Sequence, residues 1–181
     1  VDLIAWAVDK FVPSAVEKAI KLHKAYQKSE QKQEDLDKYL EALLDVITEL
    51  MEKIFSYIQS YLRKEYDIEE ENLSPEELIK SFYSAEGKTI FDRIQEYAKE
   101  KDLTSFTYKF YRCCRSETAG LINRCIFNSL KDKFEYITVR LSNECGDCDA
   151  GILSGWVKTS EVNLSDLPPF HPDCCCSVEF S

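Results

Sequence analysis

The sequence predicts an α+β fold, with a helical bundle in front and a small antiparallel β module behind. Three observations predict it. Apolar residues recur at steps of three and four through Asp35–Tyr66 and again through Asp102–Lys131, the period of helices with a buried side. The period then shortens at Glu135-Tyr136-Ile137-Thr138-Val139-Arg140-Leu141, a β-branched and aromatic run that reads as a strand. Beyond that strand, cysteines and a histidine gather in two close groups, and a β piece too short to hold its own core needs a staple.

Length and charge narrow the function classes. A chain of 181 residues can bury one good core, or a bundle plus a small module. No apolar run approaches the roughly 20 residues that span a bilayer, so no membrane partner is expected. Val1–Val12 is apolar but lacks a basic region and a small-residue cleavage site, so no signal peptide is expected. The first residue is Val rather than Met, which predicts a trimmed or partial chain. Lys and Arg number 23 against 33 Asp and Glu, a net charge of −10. That argues against a generic nucleic-acid binder, whose affinity comes from basic groups facing phosphates. From Glu135 onward Arg140 and Lys158 stand against eight acidic residues, a balance of −6. Eight cysteines would suit a disulfide-rich secreted protein. Their clustering does not: Cys113-Cys114 and Cys174-Cys175-Cys176 are runs of neighbours. A reducing compartment at the time of folding is expected.

Residues 1–101 read as a helical region. After an apolar leading stretch, Pro13-Ser14 predicts the start of a helix. Val16, Ala19, Ile20, Leu22, His23 and Tyr26 give it an apolar side, with His23 an ordinary helix residue rather than a ligand. Gln27–Asp37 is polar and reads as a turn or a solvated link. In Asp35–Tyr66, Leu36, Leu40, Leu43, Ile47, Leu50, Ile54, Tyr57 and Tyr61 form a heptad seam. A second row of Tyr39, Leu44, Met51, Phe55, Ile58 and Leu62 widens it, which suits a helix buried on two sides. Glu69-Glu70-Glu71 reads as a solvated connection. Ser74-Pro75-Glu76-Glu77 is a helix start, with Leu78, Ile79, Phe82 and Tyr83 following and Gly87 as the stop. Gly87-Lys88-Thr89 has the look of a phosphate-loop tail, but no G-x4 precedes it, so Thr89 is expected to cap a helix through Ile90, Phe91, Ile94 and Tyr97.

A long helix then runs from a cap at Asp102 or Thr104, burying Phe106, Phe110, Cys113, Cys114, Leu121, Cys125, Ile126 and Leu130. In its middle stands Arg115-Ser116-Glu117-Thr118. Arg115 and Glu117, two apart, diverge on a helix and must find partners in other elements. Short strands are expected at Gly155-Trp156-Val157 and Cys176–Phe180, closing a small sheet.

The cysteine groups carry the chemistry. Cys145-Gly146-Asp147-Cys148 is a C-x2-C knuckle, in which Gly146 permits the sharp turn. His171-Pro172-Asp173-Cys174-Cys175-Cys176 brings an imidazole and further thiols, and Pro168, Pro169 and Pro172 stiffen its approach. Two such groups separated by a short excursion suit a tetrahedral structural zinc site. Five candidates compete for four places: Cys145, Cys148, His171, Cys174 and Cys176. The preferred set is Cys145, Cys148, His171 and Cys174, with Cys176 as the substitute. Cys175 is expected to point away, because side chains alternate along an extended segment. Disulfides, or free thiols in a reduced core, are the plainer alternatives.

The order of these features resembles the phage head morphogenesis domain, the Mu F-like minor head protein family of tailed bacteriophages and prophages. The family's pattern is a helix bearing Arg-Thr-Glu, an Asn soon after, a strand, C-x2-C, a Gly-containing excursion and P-P-x-H-P-x-C-x-C. Here these are Arg115-Ser116-Glu117-Thr118, Asn123, Tyr136–Leu141, Cys145 and Cys148, Gly151 and Gly155, and Pro168–Cys176. The match defines a second module over residues 102–181. Two positions depart from it: Cys175 stands where the family usually has Arg, and Asp173 where it commonly has Asn.

The resemblance implies a non-enzymatic minor head protein in the virion head, assembled in the bacterial cytoplasm. Its partners would be the portal protein, other head proteins and the genome DNA end, with roles in head assembly and genome packaging or delivery. Zn2+ would be structural, and Arg115 and Glu117 would orient the helix against the zinc loops through charge-assisted hydrogen bonds. The domain also occurs fused to toxins in prophages, so a toxin-delivery domain is one alternative. A zinc-containing nucleic-acid-binding module is the other, through a local basic patch of Lys99, Lys101, Lys109, Arg112, Arg115 and Arg124. Catalytic zinc keeps an open position, whereas ligands here are in surplus and mostly thiolates. No H-E-x2-H, no Ser-His-Asp order and no H-x-E with P-C-x2-C stands out.

Overall fold

Asp2 starts the chain's first helix. Its Oδ1 accepts from the backbone N–H groups of Ile4 at 3.1 Å and Ala5 at 3.0 Å, opening α1 (Leu3–Lys28). The computed structural model describes residues 2–69, 74, 88–142, 148–171 and 173–181. The helix expected after Ser74, with its stop at Gly87, and the knuckle residues Cys145 and Gly146 lie outside them.

The expected start at Pro13 is corrected: Pro13 sits inside α1, on its exposed side. There the Asp9 carbonyl that loses its donor can turn to water. An interior proline costs about 3 kcal/mol, and burial of Ile4, Ala7, Val8 and Val12 before it offsets that cost. Ala7, Ala15 and Ala19 are the small members of its buried side.

The chain turns at residues 29–32, where Ser29 Oγ donates to the Tyr26 carbonyl at 2.7 Å and accepts from Gln31 N–H at 3.1 Å. α2 follows (Gln33–Tyr66). Leu40, Leu43, Ile47, Leu50 and Ile54 of the seam are buried, as are Tyr39, Met51, Ile58 and Leu62 of the second row. α3 (Ile90–Ala98) opens with a reciprocal cap between Thr89 and Asp92.

α4 (Leu103–Leu130) is capped by Asp102, whose carboxylate accepts from Ser105 N–H at 3.0 Å. From Ser116 to Asn123 every residue is buried, so this stretch has no solvent face. It runs through the centre of the molecule. Residues of α1, α2, α3 and the Phe106–Cys125 part of α4 share one apolar cluster. Phe127 belongs to a second cluster, under the sheet. One helix thus serves both layers.

The sheet has the order β2-β1-β3, all antiparallel, with β1 at Tyr136–Arg140, β2 at Val157–Lys158 and β3 at Ser177–Phe180. Ile137 faces Phe180 and Val139 faces Val178. That register puts the apolar side chains on one face, over Phe127, Leu153, Val162 and Leu167. β2 is shorter than expected: Gly155 and Trp156 lie outside it, and Trp156 is exposed. Among the described residues the architecture is four helices and a three-stranded sheet, an α+β arrangement.

His23 is buried in the helical layer, as a packed residue. Its Nε2 lies 2.9 Å from the Glu100 carbonyl, which can only accept, so Nε2 carries the proton. Nδ1 then accepts from the Tyr39 hydroxyl at 2.6 Å, tying α1 to α2. Burial holds the His23 pKa below its ordinary value, against the opposing pull of Glu100.

Candidate metal centre

The site forms where the end of β1, the excursion after it and the approach to β3 meet the middle of α4. The His171–Cys174 turn builds half of it. Cys174 N–H donates to the His171 carbonyl at 3.1 Å, closing a tight turn with Asp173 in the left-handed region at φ 74°. Asp and Asn tolerate that conformation better than other non-glycine residues. The turn brings the imidazole and the Cys174 thiol to one point.

Cys148 supplies the other half. Its Sγ lies 3.1 Å from His171 Nε2, 4.0 Å from Cys174 Sγ and 3.5 Å from Cys176 Sγ. The ligand atoms of Cys148, His171 and Cys174 all lie within 4.8 Å of one another, so this group could hold a metal ion. Cys174 and Cys176 are fully buried and pack with Val139, Cys148 and Phe170. Burial drives the Cys176 thiol well up, beyond the opposing effect of the Ser142 N–H that points at it. A bound cation reverses that logic and draws the protons off its thiol ligands.

Cys175 points the other way, as alternation requires. Arg115 Nε donates to its Sγ at 2.8 Å. The Arg115 guanidinium also pairs with Asp173 Oδ1 at 3.6 Å, and Arg112 with Asp173 Oδ2 at 3.5 Å. Arg115 is therefore turned toward the loop that carries the ligands.

The expectation for Glu117 is corrected. It faces α3, not the ligand loops, and its Oε1 accepts from Arg93 at 3.2 Å. The reason is angular: two residues apart on a helix, Glu117 and Arg115 point in divergent directions. Glu117 is wholly buried, and its Oε2 has no hydrogen-bond partner among the described residues. Burial outweighs the pull of Arg93 and Arg124 and pushes its carboxyl up to about 8.

Three further residues of α4 hold the site, and sequence reasoning assigned none of them a role there. Ser116 Oγ accepts from Asp173 N–H at 2.8 Å. Asn123 donates from Nδ2 to the Cys176 carbonyl at 2.9 Å and accepts at Oδ1 from Val178 N–H at 3.0 Å. A Cβ on Gly120 would come 3.3 Å from Pro169 Cδ, so the missing side chain lets the Pro168-Pro169 segment lie against the helix. The available signal was a row of small and polar residues inside an otherwise buried helix. Arg93 could have been found the same way, standing beside Ile90 and Ile94 on an apolar side.

No protein-family model matches the chain, and neither does any curated protein or any solved structure. No helix among the described residues is long and apolar enough to cross a membrane.

Proposed function

We propose that the chain is a minor head protein of a tailed bacteriophage or prophage, whose C-terminal part is stapled by one structural zinc ion and docks at the portal vertex. The observation that carries the reading is the junction between the two halves of its sequence pattern. The Arg115–Asn123 stretch and the His171–Val178 stretch, far apart in sequence, are joined around the Cys/His group by hydrogen bonds that Arg115 donates, Ser116 accepts and Asn123 both donates and accepts.

Zinc fits the donor set. Zn–S bonds of about 2.3 Å in a tetrahedron put neighbouring sulfurs about 3.8 Å apart. The separations from Cys148 of 3.5 and 4.0 Å fall on either side of that. Cys148, His171 and Cys174, with a fourth thiol from Cys145 or Cys176, make a closed thiolate-rich set, which suits a structural and non-catalytic role. The metal would supply charge to hold buried thiolates together and so fix the fold of a small surface. Docking to protein is favoured over binding to DNA. Lys109 pairs with Glu100, and Arg112 and Arg115 pair with Asp173. Three members of the candidate basic patch are thereby engaged by acidic groups.

The test is co-expression with the portal protein of the phage or prophage that encodes the chain, followed by affinity purification. Co-purification that persists in high salt, and is lost on chelation, supports the reading. Absence of the portal protein at every salt concentration would refute it.

A further inference from the structure

We propose, on the basis of the metal reading above, that Cys176 adds a fourth thiol to the Cys148, His171 and Cys174 group, which it adjoins through the Cys148 sulfur 3.5 Å away, and that Asn123 of α4 positions it. In the extended approach to β3, residues 174 and 176 project to one side and 175 to the other. Cys174 and Cys176 are fully buried beside Cys148, while the Cys175 thiol takes the Arg115 Nε–H at 2.8 Å. Arg115 therefore marks which thiol lies outside the set.

Cys176 is then fixed at both its main chain and its sulfur. The Asn123 amide takes the carbonyl of Cys176 and the N–H of Val178 together, at 2.9 and 3.0 Å. These two groups flank Ser177 on the strand side away from β1, where a neighbouring strand would bond them. One side chain thus replaces a strand and sets the position of the Cys176 Cα–Cβ bond. At the other end, the Cys176 sulfur lies 3.5 Å from Cys148 Sγ, and the Ser142 N–H points at it from 3.5 Å. A backbone N–H directed at sulfur is the outer partner that a metal-bound thiolate takes. Asn123 itself touches no candidate ligand atom. It acts through the main chain, and truncating such an outer partner lowers metal affinity by about 10–100-fold.

The experiment is cobalt(II) titration of the reduced full chain, read by sulfur-to-cobalt charge-transfer absorption, with helical content checked by circular dichroism. Wild type is expected to bind one Co2+. Cys176→Ala is expected to lose about a third of the charge-transfer intensity, one thiolate of three, and Cys145→Ala to keep it all. Asn123→Ala is expected to reach the wild-type spectrum at saturation, with affinity about 10–100-fold lower. Asn123→Asp sets a buried carboxylate oxygen against the Cys176 carbonyl, and should lower affinity at least as far as Asn123→Ala. A loss in Cys145→Ala with Cys176→Ala unchanged, or equal intensity in both, overturns the ligand assignment. Unchanged affinity in Asn123→Ala overturns the positioning role. Wild type that binds no Co2+ overturns the metal reading itself, a distinct result.

Discussion

In the helical layer Ile4, Leu43, Ile47, Met51, Ile54, Ile58 and Phe106 are wholly buried in one continuous apolar cluster. In the β module the apolar cluster under the sheet is Phe127, Ile137, Ala150, Leu153, Val162, Leu167 and Val178, seven residues of which Phe127 is borrowed from α4. Beside it, where a larger core would continue, stand Cys148, His171, Cys174 and Cys176. The two regions use different physics. The front layer is stabilised by the area it removes from water. The back layer has only that small apolar cluster, tied to α4 by polar clamps and bordered by the Cys/His group that could hold a metal ion.

The largest effect should come from removing the metal proposed for that group. Structural zinc contributes on the order of 10 kcal/mol to small modules. Chelation under reducing conditions is expected to strip amide-exchange protection from Tyr136–Arg140 and Ser177–Phe180, while the centre of α2 keeps its protection. Equal loss in both regions would erase the distinction, and no loss in either would show that the module needs no staple.

Next in size is a cavity in the helical core. Ile54→Ala should cost about 2–5 kcal/mol in chemical denaturation, because Ile54 is fully buried. Cobalt affinity should stay near wild type in conditions where the variant is folded. A parallel fall in metal affinity would mean that the two layers are one cooperative unit.

A third prediction concerns the carboxyl buried between α4 and α3. Glu117 has a folded pKa of about 8 against an ordinary value of 4.5. Between those values the folded chain holds a proton that the unfolded chain has released. Stability therefore falls as pH rises through that window, and is greatest below its lower end. Glu117→Gln removes this slope and should gain on wild type with rising pH, by up to a few kcal/mol. Parallel stability curves from pH 4.5 to 8 would contradict it. His23 gives the opposite trend, since its folded pKa is lowered. Its contribution is complete above about pH 6.5 and is lost as pH falls below that.

The smallest effect is on the surface. Lys18 bonds Glu49 at 2.8 Å, but both side chains are nearly half exposed. Lys18→Ala should therefore change stability by less than about 1 kcal/mol. A larger cost would move part of the front layer's stability out of its core.

How far each region could be read from sequence follows the same division. α2 was legible because its burial pattern is local and periodic, and Leu40, Leu43, Ile47, Leu50 and Ile54 fall where the seam put them. β1 and β3 were legible from composition and alternation. The start of α1 was not, because a proline after an apolar run looks the same at a helix start and on the exposed side of a continuing helix. In the site, the spacing of Cys148, His171 and Cys174 was enough to nominate them, and alternation was enough to turn Cys175 away. The partners of Asn123 and Glu117 were not legible. Asn123 bonds residues more than fifty positions away, and Glu117 meets Arg93 across two helices. A local pattern can mark such residues as odd but cannot say what they touch.

The most direct measurement is elemental analysis of the chain purified under reducing conditions, with thiol titration before and after chelation. About one zinc per chain is expected, with thiols that become reactive once the metal is withdrawn. Protein free of metal, with its cysteines paired or equally reactive throughout, would contradict it.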